Sequence, residues 1–472
     1  MSSPAADLRD VPRDFRADEM FFSTTDRRGI ITAGNEVFVR ISGYAPEELI
    51  GRAHNLVRHP DMPRAAFRLV WNYLQASRRA VALVKNRAKD GSHYWVAALF
   101  APIDDGFLSI RFKPGSSWFA PVREIYGRML AEEKRAKDAG ADGRAQMDAS
   151  TDLLTAAVRT HGFADYDAFM RTLLCDELKS RDALLAREGR TIIRPLPEVL
   201  SAAPTDAATV RLRALYEQGT HVYSQLSRLY ERLDDFVALQ RVLEGKSQFV
   251  TNLTRELRLA AMNIALASTQ LGDEGQSLAV ISHFMGGSSS DVATAVGGLT
   301  AGIQGVSGRL RTVIFNLAAC RLQIEMLMTF VRELIVAELP AEKIEAQRAL
   351  IRTLQTAFRR SLDRAAAALG NLDVNARSLN TTSAELERHI LSLELAQLGG
   401  RVETSRLAQQ DGFTAVFTHI RQQIDSTRQQ LLELSEALRQ LDGLAEETPR
   451  AAGEIAGATT RMEENLAGLA AA

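Results

Sequence analysis

Residues 20–113 combine short alternating apolar–polar runs with brief segments of helical periodicity. Turn residues interrupt the runs at 27–29 and at 89–91, and these positions predict two β-hairpins. The predicted elements are a hairpin at 20–26 and 29–35, helices at 36–44, 46–51 and 62–75, a second hairpin within 82–103, and a last strand at 107–113. This succession predicts a small α+β domain that encloses a cavity.

The chain beyond residue 118 is dominated by Ala, Leu, Arg, Gln and Glu, a composition typical of long helices. A Gly-containing break at 140–143 and a Pro-containing loop at 191–208 divide its first part. The predicted regions are an α+β domain at 16–115, a helical linker region at 116–206, and a mostly α-helical bundle or coiled-coil domain at 207–472.

Two stripes in the last domain advance by alternating steps of four and three residues, a spacing that makes a narrow apolar stripe. Such a stripe must be buried against another helix. Its spacing fits a bundle within one chain and a dimeric coiled coil equally well, and a homodimer is the oligomer that we expect. The stripes are Val222, Leu226, Leu229, Leu233, Phe236, Gln240 and Leu243, and Ile420, Ile424, Thr427, Leu431, Leu434, Leu438 and Leu441.

Composition argues against several classes of function. The 57 Lys and Arg residues nearly balance the 58 Asp and Glu residues, and a net charge of −1 gives no general attraction to nucleic acid. Cys175 and Cys320 lie far apart and the eight His residues are scattered, so no metal site is predicted. The sequence has no phosphate-binding loop, HExxH motif or GxSxG motif, and we expect a protein that is not an enzyme.

The most apolar stretch of the chain, residues 315–339, does not fit a membrane span. A spanning helix needs about 20 mostly apolar residues, whereas charged residues interrupt this stretch. They include Arg321, Glu325, Arg332 and Glu333. The first 15 residues are polar and charged, without the apolar run of a signal peptide. We therefore expect no membrane span and a cytoplasmic location.

The most distinctive string in the chain is HNLVRHPDMPRAAFRLVW at 54–71, followed by VKNRAKDGSHYWV at 84–96. Together with residues 23–51, this string resembles the FAD-binding PAS domain of bacterial aerotaxis receptors. The resemblance implies a PAS fold at 16–115 that acts as a sensor, with FAD as its cofactor. It also implies that the flavin pocket contains Asn35, Arg58, His59, Asp61, Phe67 and Asn86.

These residue types suit a flavin dinucleotide on chemical grounds. A guanidinium such as that of Arg58 presents a fixed fork of donors to a pyrophosphate. An amide such as that of Asn86 can both donate to and accept from the edge of a ring. Ala80, however, occupies a position at which the family carries Trp. The alternative is therefore a PAS domain that is a structural or dimerising module with an empty or different pocket.

Residues 252–285 resemble the cytoplasmic tip of methyl-accepting chemotaxis proteins, in which two antiparallel helices reverse around a Gly-containing turn. Glycine suits such a turn because it accepts backbone angles that side chains forbid. A second segment near residue 402 matches the same tip pattern more weakly, either as an internal repeat or by chance similarity. The tip positions are Asn263, Gly272, Gly275, Leu278, Ala279, Val280 and Ile281, and the positions of the weaker match are Val402, Glu403, Ser405, Arg406 and Phe413.

Two functions follow from these resemblances. In the first, the PAS domain reports flavin or ligand state, and the helical domain passes this state to the chemotaxis kinase and its coupling protein. In the second, the chain is a non-catalytic adaptor or scaffold for another motility or second-messenger partner. The second is favoured by Ala267 and Gln270, which replace a Glu and an Arg of the family's tip.

Overall fold

A five-stranded antiparallel sheet forms the N-terminal part of the chain in the computed structural model, which describes residues 9–197, 207–270, 272–406 and 411–468. The order of the strands in the sheet is β2-β1-β5-β4-β3, and both predicted hairpins, β1–β2 and β3–β4, are present. The strands are β1 (Phe21–Asp26), β2 (Ile31–Gly34), β3 (Ala80–Arg87), β4 (His93–Ile103) and β5 (Gly106–Phe112).

Short helices connect the two hairpins, as the sequence predicted. The side chain of Asn35 accepts a hydrogen bond from the Phe38 backbone N–H and so caps the first helix, which ends at Gly43 with a φ of 73°. Pro46 occupies the first turn of the second helix. The helices are α1 (Glu36–Ser42), α2 (Pro46–Leu49), a 3-10 helix (His54–Val57) and α3 (Arg64–Gln75).

Three helices follow the sheet: α4 (Phe119–Asp138), α5 (Gly143–Thr160) and α6 (Tyr166–Arg187). The carboxylate of Glu177 in α6 accepts hydrogen bonds from the backbone of Gly115 and Ser116 and from the Ser116 hydroxyl. These contacts fix the segment that leaves β5 against α6.

Four long helices make up most of the rest of the chain: α7 (Ala207–Gln270), α8 (Gln276–Val336), α9 (Ala341–Thr404) and α10 (Asp411–Gly468). The fold class is therefore the predicted one, an α+β domain followed by a mostly helical region. Among the described residues, α8 alone is long and apolar enough for a membrane span by length and composition. However, 94% of its apolar window is buried inside the protein.

The contacts divide the chain into two compact units. Unit 1 consists of residues 1–230, 314–365 and 453–472, and unit 2 consists of residues 231–313 and 366–452. Unit 1 contains residues from each of the three predicted regions, 16–115, 116–206 and 207–472. The boundaries after residues 115 and 206 stay predictions.

Within unit 1, the sheet packs against the C-terminal part of α8 and the start of α9. The ring of Phe22 in β1 contacts Phe330 in α8 edge-to-face, with centroids 5.3 Å apart. Arg79, just before β3, donates hydrogen bonds to Asn316 in α8 and to Ser361 in α9. These long-range contacts are what join the N-terminal domain to helices more than 200 residues away along the chain.

Unit 2 contains two helical hairpins. Helices α7 and α8 meet across a 3-10 turn at Gly272–Gly275, and the Ser282 hydroxyl donates to the Ala261 carbonyl at 2.7 Å. Between α9 and α10, the Gln397 amide donates to the Phe417 carbonyl at 3.0 Å. The reversal that the sequence predicted around Gly272 is present.

The described members of the two apolar stripes are buried within the chain itself. The remaining members lie outside the described side chains; they are Leu233, Phe236, Gln240, Leu243, Leu434, Leu438 and Leu441. For the described part, a helix of the same chain therefore covers the stripe, as in an intramolecular bundle. The buried members are Val222, Leu226, Leu229, Ile420, Ile424, Thr427 and Leu431.

Candidate functional site: an arginine-lined cavity in the N-terminal domain

A cavity of about 500 Å³ lies among the sheet, the 3-10 helix and α3. Its volume falls within the range of roughly 300–1,000 Å³ that small-molecule sites occupy. Five arginines line it, and no Asp or Glu is among its described lining residues. The arginines are Arg28, Arg58, Arg64, Arg68 and Arg111.

Aromatic rings form much of the apolar wall. The ring of Trp71 contacts Phe107 edge-to-face, with centroids 5.3 Å apart. The Arg58 guanidinium lies over the Phe67 ring, 4.6 Å from its centroid, and Arg58 donates to the Met62 carbonyl at 2.8 Å. Burial lowers the pKa of Arg58. Flat apolar walls with a few fixed donors favour a planar, negatively charged ligand.

The buried end of the cavity contains a polar cluster on β1, β5 and the 3-10 helix. The Arg111 guanidinium donates to the Ser23 hydroxyl at 2.9 Å and lies 2.6 Å from Nε2 of His54. Burial, together with the nearby charge of Arg111, lowers the pKa of His54 to about 3. His54 is therefore neutral at physiological pH and can accept the hydrogen bond from Arg111.

Part of the cavity wall comes from α5, a helix outside the predicted sensor domain. Met147 of α5 lines the cavity. The Arg68 guanidinium forms an ion pair with Asp148 at 2.7 Å and donates to the Thr151 hydroxyl at 2.8 Å. The cavity is thus formed by the sheet domain together with α5, the second helix after the sheet.

Helix α3 lacks a capping side chain of its own because Pro63 precedes it. Instead, the Glu133 carboxylate of α4 accepts hydrogen bonds from the backbone N–H groups of Arg64 and Ala65, at 3.1 and 2.9 Å. A carboxylate at this position satisfies orphan donors and suits the positive end of the helix. Two cavity arginines, Arg64 and Arg68, are thereby held on a fixed helix.

Three of the six residues predicted for the flavin pocket line this cavity: Arg58, Phe67 and Asn86. The side chains of the other three, Asn35, His59 and Asp61, are not among the lining residues. Asp61 instead forms an ion pair with Lys85 at 2.6 Å and lies 3.4 Å from Nδ1 of His59. Contact between a ligand and any of these six residues remains a prediction.

Asn35 links two elements of unit 1. Its oxygen accepts from the backbone N–H groups of Phe22 and Phe38, and its amide nitrogen donates to the Met20 carbonyl at 3.3 Å and to the Glu333 carboxylate of α8 at 2.9 Å. The structure therefore places this residue between the sheet and α8 rather than on the cavity wall.

Sequence reasoning missed several lining residues. Ser23, Ser109 and Arg111 are polar residues inside strands that are otherwise largely apolar, and this was the available signal. Alternation along β5 places Ser109 and Arg111 on the same face as Phe107. Nothing in the sequence pairs His54 with Arg111, because 57 residues separate them and only the fold brings them together.

Comparison with known proteins agrees with this geometry. Residues 31–108 match the family described as PAS fold. With the antiparallel sheet and its cavity, this match makes the N-terminal domain a PAS domain, and a long helical region follows it, as the sequence predicted.

Particular relatives are an aerotaxis receptor and a light-activated kinase. The chain is 43% identical over 119 residues to "Aerotaxis receptor" of Escherichia coli (strain K12), covering 24% of each protein. It is 26% identical over 222 residues to "Blue-light-activated histidine kinase 1" of Erythrobacter litoralis (strain HTCC2594), covering 43% of this chain and 59% of the kinase. The chain thus spans less than two thirds of the length of either relative.

Among solved structures, the PAS domain of a protein from Colwellia psychrerythraea is similar, with 20% identity and a TM-score of 0.18. The match covers 20% of this chain and 85% of that one.

Proposed function

We propose that this chain is a cytoplasmic, non-catalytic signal transducer whose PAS domain binds FAD and whose helical region relays the state of that site to a chemotaxis kinase and its coupling protein. The observation that carries the proposal is the cavity lined by five arginines and no described carboxylate. This cavity lies in a segment similar to a protein called an aerotaxis receptor.

The lining residues fit a flavin dinucleotide. Arg58, Arg64 and Arg68 offer charged donors to phosphate groups, and Asn86 offers an amide to a ring edge. The apolar faces of Phe67 and Trp71 suit a flat ring. When bound, a flavin would supply reversible redox chemistry at its ring system.

Strand β1 and Asn35 offer a route from the cavity to α8. Ser23 lines the cavity, and the Phe22 backbone before it donates to Asn35, which in turn donates to Glu333. A second route runs from His54 to Phe38, because these rings are stacked with centroids 6.2 Å apart, and the Phe38 N–H also donates to Asn35. A change at the buried end of the cavity would therefore alter the groups that hold α8.

The α7–α8 hairpin of unit 2 supports the proposed output. Large apolar side chains are exposed around it, and exposed apolar clusters commonly mark interaction surfaces. A homodimer through other parts of the helical region is part of the same proposal. The exposed residues are Leu259, Met262, Leu266, Val280 and Phe284.

The test of the cofactor uses the purified full-length chain. We expect a yellow protein whose flavin absorption is bleached by dithionite, or a colourless protein that becomes yellow after incubation with FAD. Arg58→Ala should abolish flavin retention, because it removes a half-buried guanidinium from the cavity wall, and should leave the helical circular dichroism signal unchanged.

Arg52→Ala is the matched control, since Arg52 is exposed and its side chain is not among the lining residues. This variant should retain flavin like the wild type. A colourless wild-type protein that takes up no FAD would overturn the cofactor proposal. Undiminished flavin content in Arg58→Ala would overturn the role given to Arg58.

A further inference from the structure

Arg111 is a buried cation without an acidic partner among the described residues. It is 2% exposed, and its polar neighbours are the Ser23 hydroxyl and the His54 ring. The rings of Phe21 and Phe38 lie 5.8 and 5.3 Å from its guanidinium carbon. Aromatic faces attract a cation, but they do not neutralise it.

This arrangement is costly in the absence of an anion. Burial lowers the pKa of Arg111 to about 10, so the side chain still carries its charge at neutral pH. An unpaired buried charge destabilises a fold unless something compensates it. In this cluster His54, kept neutral by its surroundings, accepts a hydrogen bond but supplies no negative charge.

Unused donors point to what would compensate the charge. The second terminal nitrogen of Arg111, Nη1, and the Ser109 hydroxyl are both buried, and neither has a hydrogen-bond partner among the described residues. Both side chains line the cavity. Unpartnered buried polar groups are rare, and a charged donor beside a hydroxyl matches the needs of a carboxylate or a similar oxyanion.

The arginines at the open end of the cavity are more exposed than Arg111. Arg28 and Arg64 are exposed, and Arg68 already forms an ion pair with Asp148. Solvent and this carboxylate weaken their attraction for an anion. Arg58 is half-buried, and Arg111 is the most deeply buried of the five lining arginines, so we expect charge selectivity at the buried end of the cavity to depend on Arg111.

We propose that Arg111, with Ser109, Ser23 and His54, forms an inner anion subsite that selects aromatic ligands carrying a negatively charged group at their buried end. The inference rests on the proposed use of this cavity as a ligand site. It adds the class of ligand, an aromatic anion, and the residue that selects it. A purely structural role for Arg111 would instead require only its contacts with Ser23 and His54.

The test compares 2-naphthoate with its neutral analogue 2-naphthamide on the full-length chain, by isothermal titration calorimetry at pH 7. We expect naphthoate to bind at least tenfold more tightly. In Arg111→Gln this preference should fall below threefold, and Arg111→Lys should retain part of it. Arg68→Gln, at the open end, should keep the full preference. If the preparation retains flavin, the same two probes are compared as competitors that release it.

Ligand-free Arg111→Gln should unfold at a temperature no lower than the wild type, because the substitution removes an uncompensated buried charge. A clear loss of stability in this variant would favour the structural role and overturn the proposal. Equal affinities for the two probes, no binding of either, or a preference that survives Arg111→Gln would also overturn it. A naphthoate preference in a protein that takes up no FAD would leave the subsite standing while the cofactor proposal fails.

Discussion

Glu333 places an ionisable group at the contact between the PAS domain and α8. Burial, with a smaller contribution from the nearby charge of Glu36, raises its pKa from 4.5 to about 7. The hydrogen bond from Asn35 and the charge of Arg332 act in the opposite direction but are outweighed. Near neutral pH, this carboxyl group therefore changes its charge within the proposed signalling route.

The pH dependence of stability has a definite sign at this residue. Because the folded chain holds the Glu333 proton more tightly than the unfolded chain, the stabilisation is complete below about pH 4.5 and is lost as the pH rises through about 7. Between pH 5 and 8 we expect the free energy of unfolding of the wild type to fall by roughly 2–3 kcal/mol relative to Glu333→Gln, at about 1.4 kcal/mol per pKa unit.

Urea denaturation of both proteins across this range measures that difference. His54 gives the opposite slope below pH 6.5, since its pKa is lowered to about 3, but it contributes equally to both proteins and cancels. Glu342→Gln, at an exposed residue of α9, should follow the wild type. Parallel pH profiles for the wild type and Glu333→Gln would contradict the assignment.

At the scale of elements, a buried ion pair joins α6 to α8. The side chains of Arg181 and Glu325 are each 1% exposed, and two hydrogen bonds of 3.0 and 2.6 Å connect them. A third donor of Arg181 bonds the Ala17 carbonyl at 2.7 Å. Geometry of this quality is what a buried pair needs to offset the cost of removing two charges from water.

Removing one charge of this pair should destabilise the fold far more than replacing both residues by apolar ones. Glu325→Gln removes the hydrogen-bonded counter-charge of the buried Arg181 cation, and we expect it to lower the free energy of unfolding by about 3–5 kcal/mol. The double variant Arg181→Met, Glu325→Leu should lie closer to the wild type. Urea denaturation measures both.

The exposed pair Arg359–Glu463, with a separation of 2.5 Å, is the matched control. Its disruption by Glu463→Gln should change the free energy of unfolding by no more than about 1 kcal/mol. An effect of Glu325→Gln as small as that of the control would mean that the buried pair adds no more than a surface pair does.

Elements whose signals are local could be predicted from the sequence. The turns at 27–29 and 89–91 predicted both hairpins, periodicity predicted α3, and composition predicted the long helices. The cavity was harder to predict from the sequence, because residues from distant segments of the chain form its wall. Met147 of α5 is a clear case, since nothing between residues 143 and 160 marks the helix as a cover for a pocket in another domain.

At the scale of the whole molecule, unit 1 is assembled from three separate stretches of chain. The sequence identified residues 315–339 as its most apolar stretch, but did not indicate that this part of α8 would pack on the PAS sheet through Phe330. Which helix packs on which sheet depends on the shapes of the two surfaces and on long-range polar contacts, such as that of Arg79 with Asn316. A single sequence does not reveal these contacts.

The two functions inferred from the sequence predict different partners for the full-length chain. If the chain serves the chemotaxis kinase, a pull-down should retain kinase and coupling protein at receptor-like strength. Phe284→Ser, which removes an exposed apolar side chain beside the hairpin, should then weaken retention several-fold.

Leu432→Ser is the control, because Leu432 is also exposed but lies on α10, away from the hairpin turn in sequence. It should bind like the wild type. No retention of either protein by the wild-type chain would instead favour an adaptor for a different partner, consistent with Ala267 and Gln270.

Strand β1 presents different side chains on its two faces. Ser23 lines the cavity, whereas Phe22 packs on Phe330, and Thr24 lines a second cavity together with Thr353 of α9. Side chains alternate between the faces of a strand, so a one-residue shift exchanges them. An insertion or deletion of one residue in β1 would therefore turn Phe22 toward the cavity and Ser23 toward α8.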